Sequence, residues 1–463
     1  MNREFHQMAG IDRVHFVGIG GSGMSGIAEI LLDYDLEVSG SDQVESGNTR
    51  RLSSKGAEIH IGHDPTLVEG VDLVVKSSAV DDENVEIDAA RNRGITVIRR
   101  AEMLAELMRL KYGIAVAGTH GKTTTTSLVG TLLTEVGLDP TVIVGGRLRV
   151  SGTGARYGRS RYLVAEADEY DRSFLRLSPV LAVITNVEVD HLDTYRDLED
   201  IMSAFQRFGE SVPFFGQVIA CLDDPEVQRL LPRISDRRIL TYGFSPQADL
   251  RAENLRVDGE DTRFRVRRGG AEVGEISLPL PGRHNVQNAL AAVGVALALE
   301  LDFGEIAEGL AAFEGVHRRF ERLGTFRGAT VVDDYAHHPT EVAATLAAAR
   351  EAFPGAGVHA LFQPHLYSRT RDQAEGFGRA LLAADAAWVT SIYGSREEPI
   401  PGVTGRLVVE AARSASHRRV RYEESWDSIV EELERSVATG DVILALGAGD
   451  IYRLARRLVE EES

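Results

Sequence analysis

Short apolar runs, punctuated by glycine turns and helical stretches, recur along this chain. Short stretches at residues 14–18, 36–40, 58–61, 72–76 and 95–98, some apolar and some mixed, predict strands. The helical patterns and glycine turns between them predict a parallel α/β sheet over roughly residues 11–108. The rhythm resumes at residues 113–117, with strands predicted at 141–144, 162–165 and 180–184 and a helix at 198–211. Between residues 249 and 280 the pattern changes. Residues 262–268 and 272–278 alternate in polarity and are broken by Asp-Gly and Gly-Gly, which predicts antiparallel hairpins. An Ala/Leu-rich helix is expected at 286–299. A third segment begins near Gly315, with strands predicted at 330–332, 358–362, 386–390 and 442–446 among helices. The expected fold class is α/β with a small antiparallel appendage.

Length and composition narrow the picture further. A chain of 463 residues has room for about three domains, and its apolar and charged fractions are ordinary for a globular protein. No apolar run reaches the roughly eighteen residues of a membrane span, and residues 1–10 are polar, without a signal-peptide core. The lone cysteine, Cys221, excludes an internal disulfide framework and a Cys-based zinc site. A cytoplasmic protein is expected. The net charge of −19 argues against a general nucleic-acid or membrane surface. A nucleotide site on such a chain needs local Arg, Lys, Mg²⁺ or helix N-termini. Its only lysines are Lys55, Lys76, Lys111 and Lys122.

One of those lysines stands in a phosphate-binding pattern. Gly118-Thr119-His120-Gly121-Lys122-Thr123-Thr124 follows the predicted strand at 113–117 and precedes a helical stretch. Backbone amides and the helix N-terminus would face an anion, Lys122 would reach the outer phosphates, and Thr123 could ligate Mg²⁺. The usual eight-residue pattern wants glycine at 116, where Val116 stands, so the loop is a shortened form.

Other motifs surround it in sequence. Gly18-Ile19-Gly20-Gly21-Ser22-Gly23 follows a strand, and Asp42 lies at the end of the next one. This fits a pyrophosphate on a helix N-terminus, from NAD or from UDP; a tight turn that packs helix on strand is the bland alternative. Glu166, in Glu166-Ala167-Asp168-Glu169, and His191, in the stretch Asn186 to His191, follow predicted strands and are plausible Mg²⁺ ligands, although single acids there are often helix caps. His284-Asn285 and Asn288 open a helix, where capping is the simplest role. Arg318-Arg319, residues 333–339 and residues 363–369 sit on the edge where open α/β sheets bind ligands. His337-His338 does not make a zinc site: adjacent side chains diverge and no third ligand has metal spacing.

Residues 15–28, 118–126, 166–175, 333–341 and 362–370, taken together and in order, resemble the Mur ligases, the amide-forming enzymes of peptidoglycan precursor synthesis. The resemblance runs nearly end to end. It implies three domains: a Rossmann-like UDP-sugar domain (1–110), a P-loop ATPase-like central domain (111–314) and a Rossmann-like C-terminal domain (315–463) that closes over ATP and the amino acid. It implies an ATP-dependent ligase joining L-alanine to the carboxylate of UDP-N-acetylmuramate through an acyl phosphate; a sibling adding another amino acid or a recycled peptide is the alternative. It turns Gly18, Gly20, Gly21, Ser22, Gly23 and Asp42 into a UDP-sugar site. Gly118, Thr119, His120, Gly121, Lys122, Thr123 and Thr124 would bind ATP, with Asn285, Asn288, Arg319 and Asp334. Thr123, Glu166 and His191 would hold Mg²⁺, with Lys122, Glu166 and His191 catalytic. Tyr335, His337, His365 and Arg369 would recognise alanine. In two places the chain departs from the family: residues 192–210 lack the lysine that several siblings carbamylate, and Leu366 stands where some relatives have a basic residue.

Overall fold

The computed structural model describes residues 10–146, 154–189, 194–395 and 397–460. It holds three sheets. The first has the spatial order Glu58–Ile61, Glu37–Asp42, Arg13–Val17, Leu73–Lys76, Thr96–Arg99, all parallel, as the alternation of strands with helices and glycine turns predicted. The third runs Glu321–Phe326, Ala329–Asp334, Val442–Leu446, Val358–Phe362, Ala386–Val389, Val420–Tyr422 and is parallel except for its first pair.

The central sheet has ten strands. Its order is Ala271–Leu278, Asp261–Arg268, Leu250–Asp258, Ile239–Gly243, Gln217–Cys221, Leu181–Ile184, Tyr112–Ala117, Tyr162–Glu166, Thr141–Ile143, Ala155–Arg156. The three strands from Leu250 onward are the expected appendage. Gly269 and Gly270 both have positive φ (54° and 87°), the geometry of the tight hairpin turn that Gly-Gly favours. Strands at Gln217–Cys221, Ile239–Gly243, Glu321–Phe326 and Val420–Tyr422 were not anticipated from the sequence.

By compactness the chain divides into two units. One comprises Met1–Glu253, Arg265–Ile276 and Gln287–Glu314; the other comprises Asn254–Phe264, Ser277–Val286 and Gly315–Ser463. In the first, residues 113–117 and 181–184 are buried throughout, which is why they read as unbroken apolar runs: a parallel strand covered on both faces has no solvent side to mark with polar residues. Each large aliphatic side chain buried there contributes about 1.5–3 kcal/mol. In the second unit Val358–Phe362 and Val442–Leu446 are likewise fully buried. Among the described residues no helix is long and apolar enough to cross a membrane.

Sheet order puts the motifs on common edges. Tyr112–Ala117 lies between Leu181–Ile184 and Tyr162–Glu166, parallel to both. The turn at Gly118, the carboxylate of Glu166 and the residues after Ile184 therefore emerge together. In the other unit Asp334 and Phe362 both pair with Leu446, so the segments that follow these three strands also converge.

Candidate active site

The turn after Ala117 is set by two glycines. Gly118 has φ 139°, and a Cβ on it would lie 1.9 Å from Thr185 Oγ1; Gly121 has φ 81°, and its Cβ would lie 2.6 Å from Asn288 Oδ1. No side chain fits at either place without displacing the neighbour. The turn is then clamped from the next strand. The Asn186 carbonyl accepts from the Thr119 amide (3.2 Å), Asn186 Oδ1 accepts from the His120 amide (2.8 Å), and the Asn186 side-chain amide donates to the His120 carbonyl (3.0 Å). The Thr185 hydroxyl donates to that same carbonyl at 2.6 Å. The helix Lys122–Glu135 starts at once, with Gly121 as its cap and no side-chain capping bond. The first amides of a helix lack intrahelical acceptors and carry the positive end of its dipole, so this terminus suits a phosphate.

Lys122 lies back across the turn. Its ammonium donates to the Gly118 carbonyl (2.7 Å) and Thr119 carbonyl (3.2 Å) and bridges both oxygens of Glu169, at 2.9 and 2.8 Å. Burial works against this ammonium, but Glu169, Asp168 and Glu166 outweigh it and raise its pKa above the ordinary lysine value. Beside it the Thr123 hydroxyl donates to Glu166 at 3.0–3.1 Å, and the Gly145 amide donates to the same carboxylate at 2.7 Å. A hydroxyl and a carboxylate in contact next to a phosphate-binding turn are hard oxygen donors of the kind Mg²⁺ takes. Thr124 is buried, and Asn288 accepts from the Thr125 hydroxyl at 3.1 Å. His191, the third expected metal ligand, lies outside the described residues.

The N-terminal glycine turn is held by its neighbouring strand. Ser41 carbonyl accepts from the amides of Gly18 (2.9 Å) and Ile19 (3.0 Å), and Asp42 Oδ2 accepts from the Gly20 amide (2.8 Å). A Cβ on Gly20 would lie 2.8 Å from that oxygen, so the second glycine is needed for the close approach. Gly21 caps the helix Ser22–Asp33, and Gly23 sits in its first turn against Arg100. Asp42 thus closes the turn with at least one of its oxygens.

In the second unit, Asp334 accepts from the amides of Phe320 (2.7 Å) and Ala336 (2.8 Å); burial pushes its pKa up, against the pull of Arg319 and these two amides. Arg319 and Arg318 lie over the Tyr335 ring at 5.2 and 5.0 Å, and Arg319 reaches Glu341 at 3.9 Å. His337 meets the rings of Tyr335 and His365 edge-on, at 5.3 and 5.7 Å, and its Nδ1 lies 3.0 Å from the Tyr335 carbonyl. Burial, reinforced by Arg369 and Arg319, holds the His337 pKa below the ordinary histidine value and favours the neutral ring, against the opposing pull of Glu341. Arg369 is buried in the first turn of the helix Tyr367–Ala380, its guanidinium 3.5 Å from His365 Nδ1. The four residues expected to recognise the amino acid are therefore one connected group. Asn285 is buried at the start of the helix Arg283–Ala298 and donates to the Pro281 carbonyl at 2.8 Å.

The sequence reading did not single out Glu169, Glu341, Arg318 or Asn186 as site residues. All four stand inside quoted motifs, and only their geometry shows what they hold. Arg318 is a clamp: it donates to the carbonyls of Gly447 (2.5 Å) and Gly449 (3.2 Å) and to Asp333 (3.2 Å).

A glycine turn at a helix N-terminus with a lysine and a Thr–carboxylate pair, set in a three-domain α/β chain, is the arrangement of a nucleotide-handling class of protein. Family models described as "Mur ligase family, catalytic domain", "Mur ligase middle domain" and "Mur ligase, glutamate ligase domain" match residues 13–112, 116–296 and 318–449. The UDP-N-acetylmuramate–L-alanine ligase of Salinibacter ruber is 52% identical over 97% of this chain and 95% of its own length. That of Sorangium cellulosum is also 52% identical, over 97% and 96%. The crystal structure of the Thermotoga maritima UDP-N-acetylmuramate–alanine ligase superposes with a TM-score of 0.80 at 31% identity, covering 97% of this chain and 99% of that one. The chain belongs to the Mur ligase family.

Proposed function

We propose that this protein is an ATP-dependent ligase that joins L-alanine to the carboxylate of UDP-N-acetylmuramate, in peptidoglycan precursor synthesis in the cytoplasm. The reading rests above all on relatives 52% identical over 97% of the chain, whose names state that reaction. The site supports it. A carboxylate oxygen of the sugar attacks the γ-phosphorus of ATP, ADP leaves, and an acyl phosphate results. The alanine amine then attacks the acyl carbon, phosphate leaves, and the amide remains. Such transfers need positioning and charge neutralisation more than covalent help.

In this reading the turn from Gly118 to Thr124 holds the phosphates, with Asn288 packed against Gly121. Lys122 exchanges Glu169 for the outer phosphates. Thr123 and Glu166 would hold Mg²⁺, with His191 assigned by resemblance; the ion supplies charge neutralisation on the phosphates. The ATP roles of Asn285, Arg319 and Asp334 rest on the same resemblance. The turn from Gly18 to Gly23, with Asp42, takes the UDP-sugar. Tyr335, His337, His365 and Arg369 take alanine, the guanidinium pairing with its carboxylate. The domains are residues 1–110, 111–314 and 315–463, supported by one sheet core in each.

The deciding experiment is phosphate release with ATP and UDP-N-acetylmuramate, with and without L-alanine, and mass spectrometry of the product. Alanine-dependent release and a product carrying one added alanyl residue support the reading. Release that requires a peptide in place of alanine would overturn it in favour of a sibling ligase.

A further inference from the structure

The helix that carries Arg369 begins badly by its own sequence. Leu366, its cap, has φ 68°, a conformation rare for a branched side chain, and offers no capping side chain. Arg369 then places a cation in the first turn, against the helix dipole. The missing cap comes from a distant loop. Glu397 Oε2 accepts from the Ser368 amide at 2.9 Å, and Oε1 accepts from the Ser368 hydroxyl. Its carboxylate thus satisfies a free amide and supplies the negative charge that this helix start lacks.

The loop that delivers Glu397 is itself tied to the same group. Tyr393 and Pro364 bond through the Tyr393 amide at 2.9 Å, and the Leu366 amide donates to the Tyr393 carbonyl at 3.0 Å. The Tyr393 ring stacks on His365, with centroids 6.0 Å apart and planes at 15°. Glu397 donates its amide to the Gly394 carbonyl at 2.9 Å, and a Cβ on Gly394 would lie 2.8 Å from the Tyr367 ring. A larger residue at 394 would push Glu397 and Tyr367 apart. His365, Arg369 and Glu397 are therefore fixed relative to one another by two short segments bonded side by side.

We propose that Glu397 is a positioning residue for the amino-acid substrate: by capping the helix Tyr367–Ala380 from the neighbouring loop, it holds Arg369 where its guanidinium can pair with the substrate carboxylate. This rests on the functional reading above, in which Arg369 recognises alanine. Glu397 does not itself touch the substrate. It acts through Arg369.

The test is steady-state kinetics on wild type, Glu397→Ala, Glu397→Gln, Arg369→Ala and the Arg369→Ala/Glu397→Ala double variant. Glu397→Ala is expected to raise the KM for alanine about tenfold or more, with the KM for ATP and for UDP-N-acetylmuramate within about twofold of wild type, as for a small misplacement of a binding group. Glu397→Gln, which keeps the acceptor and loses the charge, is expected to fall between, and is the variant to read should Glu397→Ala not fold. In the Arg369→Ala background the Glu397 change should add nothing to the KM for alanine, because the two act as one unit. An unchanged KM for alanine, a parallel rise in all three constants, or full additivity with Arg369→Ala would each overturn the role of Glu397 while leaving the functional reading standing. A wild type that turns over no alanine would overturn both.

Discussion

Lys122 bridges both carboxylate oxygens of Glu169, at 2.9 and 2.8 Å, with the two side chains 12% and 4% exposed. The lysine proposed to reach the phosphates thus already has an anion, supplied by the strand-end motif that also carries Glu166. Removing one partner of a buried ion pair leaves the other charge uncompensated, at a cost of about 3–5 kcal/mol. Glu169→Gln should therefore lower the melting temperature. ATP would return an anion to Lys122, so the variant should gain more thermal stability from ATP than wild type does. Thermal denaturation with and without ATP checks this; equal gains in the two proteins would show that Lys122 keeps Glu169 when nucleotide binds.

The contact between Thr123 and Glu166 carries a second prediction. If these oxygens hold Mg²⁺, Glu166→Gln should move the midpoint of Mg²⁺ activation to higher concentration by about tenfold or more, since a neutral amide is a much poorer ligand for a hard cation than a carboxylate. Saturating Mg²⁺ should recover part of the turnover. The check is a Mg²⁺ titration of phosphate release at fixed ATP. An unshifted midpoint would leave Glu166 as a structural partner of Thr123 and the Gly145 amide.

Arg369 offers a third. Its place in the first turn, 3.5 Å from His365, sets a planar fork beside the group expected to receive alanine. Arg369→Ala should raise the KM for alanine far more than those for ATP and the UDP-sugar. Arg369→Lys should recover only part, because an ammonium cannot reproduce a two-point bond to a carboxylate. Steady-state KM values for the three substrates decide it, and a common rise would place Arg369 in folding instead.

What the sequence showed of this fold follows from its burial. Strands covered on both faces, such as Val358–Phe362 and Val442–Leu446, are apolar except for His359 and were legible to the residue. Gln217–Cys221 and Ile239–Gly243 have the same parallel geometry, but lack the chemical motifs that drew attention to their neighbours. Val420–Tyr422 is only three residues long, too short for a period to show. The site was legible where its parts are contiguous: glycine, lysine and threonine in one turn, or Asp334, Tyr335 and His337 in one loop. Contacts from distant segments left no local mark. Asn186 clamping the turn at Gly118 and Glu397 capping the Tyr367 helix depend on sheet order and loop packing, which local pattern does not encode.

The last prediction concerns pH. His284, at the start of the helix Arg283–Ala298, has its pKa lowered to about 4, by burial first and by Arg319 next, against an opposing pull from Glu341. In the unfolded chain a histidine titrates near 6.5. Between those values the unfolded state binds a proton that the folded state refuses, so stability rises with pH across this window. The stabilisation from a neutral His284 is fully present above about pH 6.5 and is lost as pH falls toward 4. Carboxylates also titrate at the lower end, so the informative quantity is a difference. His284→Asn keeps a polar side chain of similar reach and removes the titration. Its melting temperature should be lower than wild type at pH 7.5, and the gap should shrink or reverse by pH 4.5. Thermal denaturation of both proteins across that range checks it, and a gap that stays constant with pH would mean that His284 titrates normally in the folded protein.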